Sequence, residues 1–559
     1  MVSNDILFDP LAQIADGLKN RTLTSCYRWA TCRRIMGGDF SGPYSDTYYP
    51  WVEEMHNSWA PFNWAMKGAQ LGVTEVGINR ALYTIDKLKR DVMYVLPTTK
   101  NASKFSKGRF GPALALSPYL KALFTDTNSV DLKQAGTNCL YITGSRGDSN
   151  LKSTPVSELI LDEVDEMDQK AIWLAMTRLQ GHIEKHVWGI STPTVHNHGI
   201  HKLFTTSTQE HFVFKCPGCG KHIFLTWPDN IEIVGETVTD PRCVESYLKC
   251  HLCGKRLEHQ DKPSWLAEAE WAAMNPNGNP DHRGFHISQL YSFTMTPGEL
   301  VVCYFRGFGD ELAAKEFHNS QLGLPYVSDG AQVTQDMVET SIETHSKNDP
   351  RPLFANDQII TLGVDVGDWS YYEVCQWKLD GFTTDINVNA FAKVLAEGKF
   401  WRDDFDSFLN QLMREWQVLT CVIDADPWIL DARRFARRFP GHVYLCRYRR
   451  GVTAKEISIA DDGDDAPVIT VDRSNWLSAA LGRYKTNPPR IALPHDVSLE
   501  YREHMTNLVG TYERDEFGNP IYVFKELGPD HFAHARAYAE IALPLVAMQV
   551  TDKDVKSFL

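Results

Sequence analysis

The run Leu159-Ile-Leu-Asp-Glu-Val-Asp165 constrains the fold more than any other stretch of this chain. Three consecutive aliphatic residues suit a strand buried on both faces of a parallel sheet, and the acids that follow fall at its carboxyl end. Open α/β sheets place their ligands at that end. A core strand running into an acidic helix start reads the same way in isolation, so the flanking sequence decides. From about residue 59 to 200, short apolar runs alternate with helical stretches. Strands are expected over 91–97, 138–143, 157–161 and 186–191, and helices over 75–89 and 102–115. Such alternation specifies a parallel sheet flanked by helices.

An Asp-Glu pair at such a strand end is the pattern of a nucleotide hydrolase. Asp162 would hold magnesium and Glu163 would orient or activate water. This requires a phosphate-binding loop upstream, usually Gly-x-x-x-x-Gly-Lys-[Ser/Thr]. Lys67-Gly-Ala-Gln-Leu-Gly-Val-Thr-Glu75 meets it in part. Gly72 and Thr74 keep their offsets, Val73 stands at the lysine position, and Lys67 stands at that of the first glycine. The loop opens a helix, whose backbone N–H groups can cradle phosphate. A lysine entering from the start of the loop supplies the ammonium that Val73 cannot. The ATP-binding set is then Lys67, Gln70, Gly72, Thr74 and Asp162. Downstream, His186-Val-Trp-Gly-Ile-Ser-Thr-Pro-Thr194 reads as the next core strand. Its terminal hydroxyls, Ser191 and Thr192, suit a γ-phosphate sensor that couples hydrolysis to movement; a strand entering a Thr-Pro turn is the plainer alternative.

A polar segment over about 211–260 interrupts this pattern and carries Cys216-Pro-Gly-Cys219-Gly-Lys and Cys250-His-Leu-Cys253-Gly-Lys. In each pair the spacing lets two thiolates reach one ion, and the following glycine permits the tight turn. Four thiolates make a closed tetrahedral zinc site, structural because no coordination position stays open. A redox role is disfavoured, since neither pair opens a helix in a thioredoxin-like setting.

Residues 326–357 have little regular pattern and include Asp349-Pro-Arg-Pro, which reads as a linker. A second α/β unit follows. Strands are expected over 359–366, 371–378 and 385–394, a helix over 403–416, a strand over 418–424, a helix over 429–439 and a strand over 442–447, with a last helix over 531–548 and a polar tail from 551. Three strands, a helix, then alternating strand and helix is the order of an RNase H-like fold. Asp365 lies on the first strand inside Leu-Gly-Val-Asp-Val-Gly, where an acid is costly unless it binds something. Asp424 ends the fourth strand, with Asp426 as a nearby alternate. Asp530 and His534 share one face at the start of the last helix, beside His531. Together Asp365, Asp424, Asp530, His531 and His534 would hold two Mg²⁺ or Mn²⁺ ions about 3.5–4 Å apart, for attack of water on a phosphodiester. Singly, each acid also fits a strand end or a helix cap.

The length of 559 residues allows roughly two to four domains. No apolar run approaches the ~18 residues of a membrane span. The start, Met1-Val-Ser-Asn-Asp-Ile, lacks a signal-peptide pattern, so a cytoplasmic protein with no membrane role is expected. Twelve cysteines, only four of them paired in motifs, agree with metal rather than disulfides. A net charge of −14 excludes a uniformly basic DNA-coating protein, though not local basic patches. Arg433, Arg434, Arg437 and Arg438, and Arg447, Arg449 and Arg450, are candidate phosphate contacts or solvated faces.

These motifs together resemble the large terminase subunit of tailed bacteriophages, of the lambda-like GpA type, from about residue 48 to 545. The resemblance rests on Tyr49-Pro-Trp-Val-Glu-Glu-Met, the deviant loop from Lys67, Gly144-Ser-Arg-Gly-Asp-Ser-Asn-Leu-Lys-Ser, Leu161-Asp-Glu-Val-Asp-Glu, Gly284-Phe-His-Ile-Ser-Gln-Leu-Tyr-Ser, Gly363-Val-Asp-Val-Gly and the Cys pairs. It implies an α/β protein: an N-terminal segment (1–47), a P-loop ATPase domain of the ASCE type (48–325) with a zinc-ribbon insertion, the linker, an RNase H-like nuclease domain (358–548) and a tail (549–559). It implies ATP-driven threading of viral double-stranded DNA into a procapsid, and cutting of concatemers. Lys67 would contact phosphates, Thr74 and Asp162 would serve Mg²⁺, and Glu163 would polarise water. Asp365, Asp424 and the Asp530 region would form the nuclease site, where the family usually carries a further acid at the position of His534. A basic residue acting in trans on a neighbour's ATP falls at Lys152; a lysine cannot form the arginine fork, so Arg146 is the alternative. Expected partners are the portal protein and a small terminase subunit, with a ring of five on the portal and a monomer in solution. The expected location is the host cytoplasm, transiently on the procapsid and not in the mature virion. A repair helicase–nuclease, or a non-enzymatic zinc-ribbon DNA-binding protein, are the other readings.

Overall fold

The computed structural model describes residues 24–125, 127–146, 151, 154–347, 359–379, 386–449, 457–461, 466–515 and 518–557. The chain forms two units, Met1–Tyr326 and Val327–Leu559.

The first unit is built on β1 (Phe62–Lys67), α1 (Val73–Tyr83), β2 (Val92–Leu96), α2 (Thr99–Phe105), β3 (Asn138–Gly144), β4 (Glu158–Asp162), β5 (His186–Ser191), β6 (Glu210–Lys215) and β7 (His282–Ile287). Their order across the sheet is β6-β7-β1-β5-β4-β2-β3, with every neighbour in this run parallel. The aliphatic run in β4 explains its central place. Leu159 and Leu161 pack into a cluster with Met93, Val95 and Val187. Ile160 points to the opposite cluster with Ile78, Trp188 and Ile190. A strand apolar on both sides is stable only between two such layers. The strand after β4, β5, is inserted between β4 and β1, so one strand separates the acids from the loop. The expected helix over 75–89 is α1 followed by a π-helical turn at Thr84–Leu88, and the one over 102–115 is divided by another at Ser106–Phe110. Residues 26–33 of the expected N-terminal segment form a helix within this unit, with Cys26, Trp29 and Ala30 buried in its core.

The second unit contains β8 (Ile359–Asp365), β9 (Trp369–Leu379), β10 (Ala390–Trp401), α3 (Phe405–Glu415), β11 (Thr420–Asp424), α4 (Ile429–Ala436), β12 (Val443–Tyr448), α5 (Arg473–Lys485) and α6 (His531–Ser557). β8, β9 and β10 form an antiparallel meander, while β11 lies parallel to β8 and β12 parallel to β11. This is the RNase H-like order. α6 lies so close to β8 that a Cβ at Gly363 would collide with the Ala535 carbonyl and the Ala539 amide. The Thr361 hydroxyl donates to the Ala539 carbonyl at 3.0 Å.

Three expectations are corrected here. The third strand runs over 390–401 rather than 385–394, and residues 386–389 are helical. Part of the expected linker is structured: Thr334 caps a short helix at Gln335–Thr340, and the Leu493 amide donates to the Ser341 carbonyl at 2.7 Å. The last helix continues to Ser557, through part of the expected tail. Among the described residues, no helix is long and apolar enough to cross a membrane.

Candidate active sites and metal centre

The first site lies at the carboxyl ends of β1, β4 and β5. Lys67 ends β1 and is buried, and its Nζ donates to the Thr192 hydroxyl at 3.3 Å. The loop after it is anchored from outside. The Gly68 and Ala69 amides donate to the Ile287 and Ser320 carbonyls at 2.9 and 2.7 Å, and Trp51 Nε1 donates to the Leu71 carbonyl at 2.9 Å. With Gly68 and Ala69 committed, and the Glu75 amide donating to the Gly72 carbonyl at 3.1 Å, the earlier amides that open α1 lack i−4 partners and can face a ligand. Gln70 and Gly72 both take left-handed backbone, at φ 57° and 76°. Gln70 is exposed and Thr74 half-buried.

Asp162 is fully buried at the end of β4. Its Oδ2 accepts the Tyr94 hydroxyl at 2.6 Å, and its Oδ1 has no hydrogen-bond partner. Burial, then the charge of Glu163, pushes this carboxyl up to about 7, while the Tyr94 hydroxyl, Lys67 and Arg109 oppose the shift. A buried carboxylate oxygen without a donor fits a divalent cation, which would relieve that penalty. Glu163 adopts left-handed backbone at φ 67°, costly for a residue with a Cβ, and its amide is held by the Ile190 carbonyl at 2.8 Å. The next acid along, Asp165, is structural. It accepts from the Thr194 amide and hydroxyl and from the Ile200 amide, each at 2.7 Å, and its own amide donates to the Ser191 hydroxyl at 3.1 Å. Lys67, Asp162, Glu163, Ser191 and Thr192 therefore meet at one sheet edge. Arg146 is exposed beyond β3, and Lys152 lies outside the described residues. Tyr94 and Arg109, which sequence reasoning missed, complete the surroundings of Asp162.

The metal centre lies in the segment between β6 and β7. One ligand atom from each of Cys216, Cys219, Cys250 and Cys253 lies within 4.8 Å of the others, and the Cys216 and Cys253 sulfurs are 3.8 Å apart. Tetrahedral zinc–sulfur bonds of ~2.3 Å imply sulfur separations of about 3.8 Å. The two knuckles have matching backbones. The Gly220 and Gly254 amides donate to the Cys216 and Cys250 carbonyls at 2.9 and 2.8 Å, and both glycines have positive φ. The donor set and its spacing fit zinc.

The second unit's acids fall into two groups. Asp365 ends β8 and is paired through Oδ2 with His531 Nδ1 at 2.9 Å. Asp424 ends the neighbouring β11; burial, then the charge of Asp365, pushes its carboxyl up to about 7. The Asp426 amide donates to Asp424 Oδ1 at 3.2 Å, so Asp426 supports Asp424 through its backbone, and its own carboxylate pairs with Arg447 at 3.3 Å. In the other group, Asp530 Oδ2 lies 3.3 Å from His534 Nε2 and 3.5 Å from an Arg473 nitrogen. Although burial opposes it, His534 and then Arg473 hold the Asp530 carboxyl below its usual range. These five residues do not converge as tightly as the cysteines: among the described residues, the cysteine set is the grouping of three or more such ligands within 4.8 Å. Arg473 is a residue that sequence reasoning missed. Of the basic runs, Arg434 and Arg438 pair with Asp406 at 2.7 and 3.3 Å.

Residues 38–271 match the family described as phage terminase large subunit gpA, ATPase domain, and residues 282–543 match terminase large subunit gpA, endonuclease domain. The terminase large subunit of Escherichia phage lambda is 24% identical over 291 residues, which are 46% of this chain and 45% of that protein. The chain thus spans less than half the length of that relative. Among solved structures, the HK97 bacteriophage large terminase is 11% identical with a TM-score of 0.45, over 92% of this chain and 98% of that one. The ATPase domain of the Thermus phage P74-26 large terminase is 14% identical with a TM-score of 0.31, over 51% and 94%. Two family models matched in tandem, over most of the chain, place it in the gpA family of phage terminase large subunits.

Proposed function

We propose that this protein hydrolyses ATP to move viral double-stranded DNA into a procapsid, and cuts that DNA with a metal-dependent nuclease. The observation that carries the reading is the meeting of Lys67, Asp162, Glu163 and Thr192 at one sheet edge. Lys67 binds phosphate oxygens from the start of the loop. Thr74 and Asp162 would hold Mg²⁺, which when bound supplies charge neutralisation on the phosphates. Glu163 accepts a proton from, or orients, the attacking water. Ser191 and Thr192 carry the result to the segment beyond β5. In the second unit Asp365 and Asp424, with Asp530, His531 or His534, would hold the nuclease metals, which supply an activated water and stabilise the leaving oxygen. Zinc in the four-cysteine site would be structural. The portal, a small terminase subunit, a pentameric ring on the portal, and residence in the host cytoplasm outside the mature virion complete the proposal.

The test separates the two activities. Glu163→Ala should abolish DNA-stimulated ATP turnover while leaving Mn²⁺-dependent cutting of plasmid DNA, and Asp365→Asn should do the reverse. Unchanged ATP turnover in Glu163→Ala would remove the motor assignment, and unchanged cutting in Asp365→Asn would remove the nuclease site.

A further inference from the structure

Val73 leaves the first turn of α1 without the usual lysine, so a nucleotide there lacks a cation from the helix itself. Lys67 approaches from one side, fixed near Thr192. Arg109, a residue that none of the motifs includes, comes from a separate element. It sits in the π-helical turn Ser106–Phe110, a helical irregularity that often marks functional positions. Aromatic packing holds that turn in place. Phe105 stacks on Tyr94 at 5.0 Å, Phe110 meets Tyr94 edge-on at 5.4 Å, and Tyr94 is the residue bonded to Asp162. The positive charge of Arg109 reaches both Asp162 and Tyr94.

Arg109 is half-exposed, and its Nη2 donates to Glu75 Oε1 at 2.9 Å. Glu75 directly follows Thr74. Its other oxygen, Oε2, is bound at 2.7 Å by Arg34, which is buried and also donates to Asn79 at 2.6 Å. Glu75 therefore has one fixed partner and one solvent-facing partner. Loss of the Arg109 bond would leave Glu75 paired with Arg34, so no buried charge would be stranded. A guanidinium can exchange a carboxylate for a phosphate with the same planar geometry.

We propose that Arg109 is a second phosphate-positioning cation beside Lys67, acting within its own subunit: it rests on Glu75 and transfers to the γ-phosphate of bound ATP. This rests on the nucleotide-hydrolysis reading above. It assigns the chain a cation distinct from the residues weighed for action in trans.

The experiment uses the full chain with Mg²⁺, ATP and ADP, and the variants Arg109→Ala, Arg109→Lys and Glu163→Ala. Arg109→Ala should lower kcat by roughly 10²-fold, as for loss of a transition-state donor. ATP affinity should weaken while ADP affinity and the melting temperature stay close to wild type, and Arg109→Lys should recover part of the rate. A merely structural role would shift melting and both nucleotides alike, and that result would overturn the proposal. So would wild-type turnover in Arg109→Ala beside an inactive Glu163→Ala, an outcome that leaves the hydrolysis reading standing. Absence of ATP turnover in the wild-type chain, with DNA present, would instead sink that reading and the proposal with it.

Discussion

Tyr94 and Asp162 are joined by a 2.6 Å hydrogen bond between neighbouring strands, β2 and β4. The bond occupies one carboxylate oxygen and leaves the other, also buried, without a hydrogen-bond partner. Tyr94→Phe removes the donor and keeps the ring. ATP turnover should fall roughly tenfold, the value of one hydrogen bond to a charged group. Because the bond favours the ionised acid, the acidic limb of the pH–rate profile should also move to higher pH. A profile that keeps its position would refute the assignment.

Asp162 and Asp424 are both pushed up to about 7, chiefly by burial, with Glu163 and Asp365 respectively adding to the shift. Their native carboxyls hold protons that the unfolded chain releases from about pH 4 upward. The unfolded state thus binds fewer protons in this window, and metal-free stability should fall as pH rises from about 4 to 7. Mg²⁺, which binds the ionised forms, should offset the loss at the upper end. Urea midpoints across that range, with and without Mg²⁺, provide the check. Asp162→Asn should flatten the metal-free slope, and an identical slope in that variant would count against it.

The cysteine centre predicts zinc at one ion per chain by elemental analysis of the purified protein. Cys253→Ser should lose most of the metal and lower the melting temperature. Chelation of the wild type should reproduce that shift, since zinc affinity is folding energy in such sites. Full stability after complete removal of zinc would make the centre dispensable.

In the second unit, Arg536 on α6 is wholly buried between Glu373, to which it donates, and Glu540, 2.7 Å away. Arg483 binds the same Glu540 at 2.6 Å, and the two guanidinium groups lie 4.8 and 4.9 Å from the Trp377 ring centroid. Arg536→Met leaves two buried carboxylates short of a partner and should cost about 3–5 kcal/mol in chemical denaturation. A cost below about 1 kcal/mol, the range of an exposed pair, would contradict this.

What the sequence made legible was what lies close together along the chain. The acids that end β4, β8 and β11 follow aliphatic runs directly, and the cysteine knuckles are four residues each. β1 was hidden because Asn63 and Lys67 break its apolar pattern. Asn63 is nonetheless fully buried, its amide satisfied by the Ser58 hydroxyl and the Ala60 carbonyl at 2.6 and 2.8 Å. The third strand of the second unit runs beyond its apolar pattern, through Glu397, Gly398 and Lys399, which resemble a turn. In the fold, Glu397 instead receives Lys347 Nζ and the Ser498 amide, each at 2.9 Å. Tyr94, Arg109 and Arg473 reach their sites only through sheet order and helix packing, and no local pattern marks them.

The insertion of β5 between β1 and β4 sets a gauge. Strands in one sheet stand about 4.8 Å apart, so the backbones carrying Lys67 and Asp162 are separated by about 10 Å. The hydrogen-bond ladders on both edges of β5 hold that width fixed. The two backbones therefore keep their distance, and the gap between the lysine and the acid is set by how far their side chains extend. A polyphosphate with its metal has the size and charge to span it, so the sheet measures its ligand before any side chain moves.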